Sequence, residues 1–230
     1  MNLDFARVFS NATPLLVQGI RMTIYISLLS IVIGVIIGLI TCLMGMAKNP
    51  ILKGISKVYV WIIRGTPMIV QAIFVFYGVP QFVRLFVGQF NFTPFLAGLI
   101  TLSLNAGAYL SEIFRGGIAA VPKGQIEASR SLGLGQARTM LKVVLPQAFK
   151  IALPSMVNQF IITIKDTSIL SVIGLAEITN RANTYVGSTY LYFETYILVA
   201  AYYLVVISIL MILSNYLEKK INYEKKGNRS

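Results

Sequence analysis

The strongest constraint on this chain is a set of apolar runs near the roughly 20 residues that carry a helix across a bilayer core. The first, about Thr23 to Met46, holds no charged residue; Arg21 precedes it and Lys48, Lys53 and Lys57 follow. A segment apolar on every side either crosses a membrane or fills a large core. The second option fails here: of 230 residues 56% are hydrophobic and 12% charged, against about 25% charged in a soluble domain. The expected fold is an all-α integral membrane protein, one transmembrane domain over residues 1–230.

Charge then sets orientation. The net charge of +12 is placed by the positive-inside rule in cytoplasmic loops, not on a nucleic-acid surface. The lysines after the first span put the N-terminus outside. Cys42 is the only cysteine and histidine is absent, so no intrachain disulfide, His-based catalysis or metal site is expected. The N-terminus lacks the basic cluster of a secretory signal, and its first apolar run is too long for one.

Five spans are expected at about 23–46, 66–87, 93–118, 148–175 and 196–217. In the first, Gly34 and Gly38 have a small-xxx-small spacing, which is equally ordinary glycine content. The stretch Ile51 to Ile63 is expected on the membrane surface as an elbow. Thr66 and Pro67 then open the second span as N-cap and first turn, with Arg64 at the interface and Pro80 kinking the helix. The alternative start near Lys57 buries Arg64, at a cost of order 2.5–3.5 kcal/mol. In the third span Asn105, Tyr109 and Glu112 share one helical face, and Glu112 has an i,i+3 partner in Arg115. The fourth carries Lys165 and Asp166 between two short apolar pieces. Either this is a discontinuous helix of the kind transporters use, or the charges mark the outer surface. Glu177 to Glu194 reads as an outer loop. The tail, with Glu218, Lys219, Lys220, Lys225, Lys226 and Arg229, is cytoplasmic.

Between the third and fourth spans lies a polar, cationic segment, residues 122–146. It runs from Pro122 to Pro146, with a turn expected at Gly133 to Gly135 between two short helices. It has no third glycine for G-x-G-x-x-G and no phosphate-binding P-loop. Its sequence Glu127-Ala128-Ser129, then Gly133, then Val143-x-Leu145-Pro146 resembles the EAA loop of ATP-binding-cassette importer permeases, departing at Ser129 and Val143. Arg64-Gly65-Thr66-Pro67, the run Tyr109 to Gly117 and Lys165-Asp166-Thr167-Ser168 resemble the polar amino acid branch, the histidine, arginine and glutamine systems.

The resemblance implies a multi-pass subunit of a bacterial-type cell membrane, surrounded by lipid and paired with a second permease, identical or a close paralogue. It further implies two ATP-binding-cassette ATPase subunits and an extracytoplasmic amino-acid-binding protein as partners. ATP and magnesium would be bound by the ATPase, and this chain would be no enzyme. Glu127, Ala128, Ser129 and Gly133 would form the cytoplasmic coupling helix. A zwitterion in hydrocarbon needs polar partners, and Asn105, Tyr109, Glu112, Asp166, Thr167, Ser168 and Gln71 are the candidates for the substrate path. The acids Glu112 and Asp166 favour a cationic amino acid. The competing class is an ion-coupled secondary transporter of a small polar solute, which internal repeats would mark. No clear repeat is visible.

Overall fold

A computed structural model describes residues 3–227, and among them every regular element is helical. Five helical stretches are long and apolar enough to cross a membrane: Phe5–Met46, Met68–Val87, Pro94–Ala119, Gln136–Ile173 and Tyr192–Tyr216.

Helix α1 (Phe5–Met46) starts well before the apolar run. Asp4 caps it, its side chain accepting the Arg7 N–H. The N-terminal turns bury Val8, Ala12 and Leu16 against Ile178, Ala182 and Val199. Pro14 and the polar residues around it hide this extension from a hydropathy reading. A helix of 42 residues is about 63 Å long, twice the hydrocarbon thickness.

The core is the seam between α1 and α5 (Pro94–Ala119). A Cβ on Gly34 would lie 2.9 Å from Ala106 Cβ, and one on Gly38 2.8 Å from Leu110 Cβ. The two glycines therefore set the approach of the helices, which pack side by side in the same direction.

Helix α2 (Pro50–Gly65) corrects the elbow expectation. Ser56 donates to the Thr41 carbonyl of α1, and Tyr59 donates to the Leu104 carbonyl of α5. Farther on, Ile62, Ile63 and Thr66 face Ile100, Thr101 and Leu104. The contacts climb the neighbouring helices in order, so α2 runs antiparallel to them and packs along the bundle. Arg64 is thereby held against α5. Thr66 ends α2, and Pro67 precedes α3 (Met68–Ile73) without any side-chain cap. Thr66 fails as an N-cap because its hydroxyl donates backwards, to the Ile62 carbonyl.

After α3 comes a π turn, Phe74–Gly78, and α4 (Val79–Val87). The next helical run repeats this device. α6 (Lys123–Ser131) is followed by α7 (Gln136–Thr139), a π turn Met140–Val144 and α8 (Leu145–Asp166). Pro80 and Pro146 each fall two residues after a π turn. The wider turn admits the proline ring, which otherwise strikes the carbonyl four residues back. Pro146 thus does not break the helix. The second short helix, α7, is continuous through the π turn with α8, so one helical stretch runs from Gln136 to Ile173.

At Asp166 the winding tightens into a 3-10 helix, Thr167–Ile173. Leu170 and Ile173 pack with Ala72, Ala97 and Ile26, so the tightened turn is anchored between α1, α3 and α5. The expected outer loop holds a helix, α9 (Ile178–Thr189), capped by Glu177. Glutamate is not among the usual capping residues, and the helix is short and polar apart from one face, Ile178, Ala182, Tyr185 and Val186, which it buries. α10 (Tyr192–Gly227) completes the fold. Arg229, expected in the cationic tail, lies outside the described residues, as do the side chains of Lys220, Lys225 and Lys226.

Candidate functional site

The polar side chains fall into three groups, each at a joint between helices. At the α2 joint, Arg64 sits at the last turn of α2 with its guanidinium carbon 5.2 Å from the centre of the Tyr109 ring. Its Nη1 lies 4.0 Å from Glu112 Oε2. Arg115 Nε donates to Glu112 Oε1 at 3.2 Å, and Arg115 Nη2 donates to Oε2. Tyr109 and Glu112 therefore meet as expected on one face of α5. The second cation, Arg64, was not among the candidate site residues. Its position follows from α2 packing on α5, and the carboxylate and ring face it meets offset part of its desolvation cost.

Asn105 is buried one turn nearer the start of α5, 8% exposed. Gln71 bridges the break between α2 and α3. Its Nε2 donates to the Ile63 carbonyl at 2.8 Å, to the Thr66 carbonyl at 3.1 Å and to Thr66 Oγ1 at 2.8 Å. Carbonyls at the end of a helix lack intrahelical donors, and Gln71 satisfies those of α2 from across the α2–α3 break. Its Oε1 is buried and has no hydrogen-bond partner among the described residues, beside an apolar cavity of about 470 Å³.

The second joint is the α8-to-3-10 transition. Thr167 is fully buried and donates to the Ile164 carbonyl at 2.7 Å; Ser168 donates to the Lys165 carbonyl at 2.7 Å. Both hydroxyls fold back on their own helix. Asp166, Thr167 and Ser168 share no hydrogen bond or ion pair with the Glu112 group among the described residues. The structure thus separates the candidate path residues into two groups, with α3 packed against both α5 and the 3-10 helix.

The third joint is the turn after α6. Gly133 has φ of +80°. Its N–H bonds the Arg130 carbonyl, and the Leu134 N–H bonds the Ser129 carbonyl. This is a Schellman ending, which favours glycine at that position. Ser129 is buried, and its Oγ donates to Thr139 Oγ1 at 3.1 Å. The small side chain therefore closes α6 onto α7. Glu127, Ala128 and Arg130 remain exposed on α6, and Leu132 beside the turn is 82% exposed. An acid, two cations (Arg130 and Arg138) and a bare leucine on a rigid turn make a surface suited to a protein partner.

Two buried acids, Glu177 and Glu194, were not among the candidates. Glu177 is fully buried and accepts the N–H groups of Thr179 and Asn180 at 2.9 and 2.6 Å. Burial pushes its carboxyl above the usual range, and the two N–H bonds pull in the opposite direction. Nothing in the sequence distinguished it from a loop acid.

Five apolar helical stretches packed as one bundle, with polar joints between helices, define a polytopic membrane protein. The chain belongs to the family of binding-protein-dependent transport system inner membrane components, whose profile matches residues 30–223. It is 36% identical over 200 residues to the glutamine transport system permease protein of Escherichia coli strain K12, covering 87% of this chain and 89% of that protein. It is also 36% identical over 221 residues to the arginine transport system permease protein of Bacillus subtilis strain 168, covering 96% and 98%. Among solved structures, a crystal structure of an amino acid ABC transporter with histidines matches with a TM-score of 0.89 and 40% identity, covering 96% of this chain and all of that one.

Proposed function

We propose that this chain is the transmembrane subunit of an ATP-driven amino acid importer and forms the path through which the solute crosses. The observation that carries the reading is the α6 turn: the residues of the EAA-like signature stand on a rigid Schellman turn, with Glu127 exposed and Gly133 at positive φ. ATP and magnesium belong to a partner ATPase that docks there. A second permease subunit, identical or a paralogue, completes the path, and an extracytoplasmic binding protein delivers the solute. Closure of the ATPase pulls on α6; because α7 continues into α8, the pull reaches Asp166 along one helical run, a rigid lever for alternating access.

The substrate is an amino acid. Of the two acids that favour a basic side chain, Glu112 is already paired with Arg115 and faces Arg64. Asp166 is the carboxylate left for a cationic substrate. Equal identity to a glutamine and an arginine permease supports an amino acid without favouring either. Uptake of labelled arginine, histidine and glutamine in vesicles with the reconstituted system tests the reading. A cationic preference predicts that Asp166→Asn cuts arginine uptake at least about tenfold more than glutamine uptake, the scale of one lost charge contact. Equal loss of both removes the preference; no ATP-dependent uptake of any amino acid removes the function.

A further inference from the structure

Arg64 is a cation set deep in the bundle. The Tyr109 ring beside its guanidinium stands about 22 Å along α5 from Pro94 and about 15 Å from Ala119, by helical rise. A hydrocarbon core is about 30 Å thick, so both side chains lie well inside a spanning bundle. A guanidinium carries five N–H donors and a full charge. At membrane depth these need partners from protein, water or solute.

The chain supplies few of them. Among the described residues the Arg64 guanidinium makes no hydrogen bond, and the side chain is 43% exposed. Glu112 Oε2, 4.0 Å from Nη1, is beyond hydrogen-bond reach and is already held by Arg115. Two cations thus share one carboxylate, which leaves the group one positive charge in excess. No other acid lies between Phe5 and Ala119 to balance it. The Tyr109 ring, itself 37% exposed, takes one side of the guanidinium and leaves the planar fork of donors open.

We propose that Arg64 holds the α-carboxylate of the transported amino acid through this fork. A planar carboxylate meets a guanidinium in two parallel bonds, and it brings the one negative charge that the group lacks. The α-carboxylate is common to all amino acids, so the contact selects the class of solute and not its side chain. The proposal rests on the reading of the chain as an amino acid permease. It is independent of Asp166 and of which amino acid is carried.

The test is equilibrium binding of labelled arginine and glutamine to the purified permease–ATPase complex without the binding protein, in competition with the unlabelled acid and with its α-carboxamide. The amide keeps the side chain and the α-amino group and loses the charge of the carboxylate. Wild type is expected to bind the amide at least about tenfold more weakly, the scale of one charged hydrogen-bonded contact. Arg64→Gln is expected to weaken the acid to the level of the amide and to leave the amide unchanged. Arg64→Lys, which keeps the charge and loses the fork, is expected to fall between. Lys57→Gln, which removes a cation two turns earlier on α2, is expected to discriminate as wild type does. The same preference for acid over amide in Arg64→Gln as in wild type overturns the proposal. So does a wild type that takes up an amino acid yet binds acid and amide alike, or binds neither. Displacement of the amino acid by acetate at equal concentration also overturns it, since the site would then hold any small carboxylate. If Arg64→Gln fails to assemble with the ATPase, Arg64→Lys decides, and undiminished discrimination there is the contrary result. A wild type without ATP-driven uptake of any amino acid would instead overturn the importer reading, and this proposal with it.

Discussion

Glu112 shows how one carboxylate can be needed by two helices. It accepts two bonds from Arg115 on its own helix and stands 4.0 Å from Arg64 on α2. All three side chains are partly exposed, so each pair contributes about 1 kcal/mol or less. A double-mutant cycle should give a larger coupling for Glu112 with Arg115 than for Glu112 with Arg64, because only the first pair is in direct hydrogen-bond contact. Equal couplings would contradict the geometry. The buried Glu177 yields a pH prediction. Burial raises its carboxyl pKa in the fold, so its contribution is fully present below the unfolded value and is lost as pH rises through the folded one. Thermal unfolding of wild type should show this decline, and Glu177→Gln should flatten it. The reverse slope would mean that the two N–H bonds outweigh burial. At this scale the sequence revealed the Glu112–Arg115 pair, because i,i+3 spacing on a helix places them together. It did not reveal Arg64 or Glu177, whose partners depend on how separate helices pack.

Helices show a similar division. Apolar runs located the long stretches, but their ends moved wherever capping or packing overrode hydropathy. α1 starts at Phe5 because Asp4 caps it and α9 covers it, and α2 packs on α1 and α5 through Ser56 and Tyr59. The two π turns before Pro80 and Pro146 could not be read from propensity, since either proline could equally have ended its helix. Gly34 and Gly38 left two readings open that the α1–α5 seam now decides. Gly38→Val should destabilise the bundle by about 1–3 kcal/mol through overpacking against Leu110, measured by thermal unfolding in detergent. Gly54→Ala, with open space around it, should have little effect. Gly133→Ala should cost about 1–2 kcal/mol in the left-handed conformation and loosen the α6 turn, seen as faster amide exchange at Leu134. Unchanged exchange there would show that the turn tolerates a Cβ.

For the whole molecule, the α6 surface is linked through the Ser129–Thr139 contact to one helical run that ends at the Asp166 joint. It leaves the Ser129–Thr139 contact as α7, passes a π turn and reaches Asp166 as α8. The EAA-like signature was legible because its spacing survives in sequence; its mechanical continuity with α8 was not, because Pro146 looks like a stop. The central claim is that Glu127 on this turn couples the permease to a separate ATPase. The direct measurement is ATP-driven amino acid uptake, with ATPase co-purification, for Glu127→Lys reconstituted in vesicles beside wild type. The account predicts uptake lowered at least about tenfold, the effect expected from reversing a charge at a docking surface, with the permease still folded and inserted. Uptake and ATPase assembly both equal to wild type would contradict it.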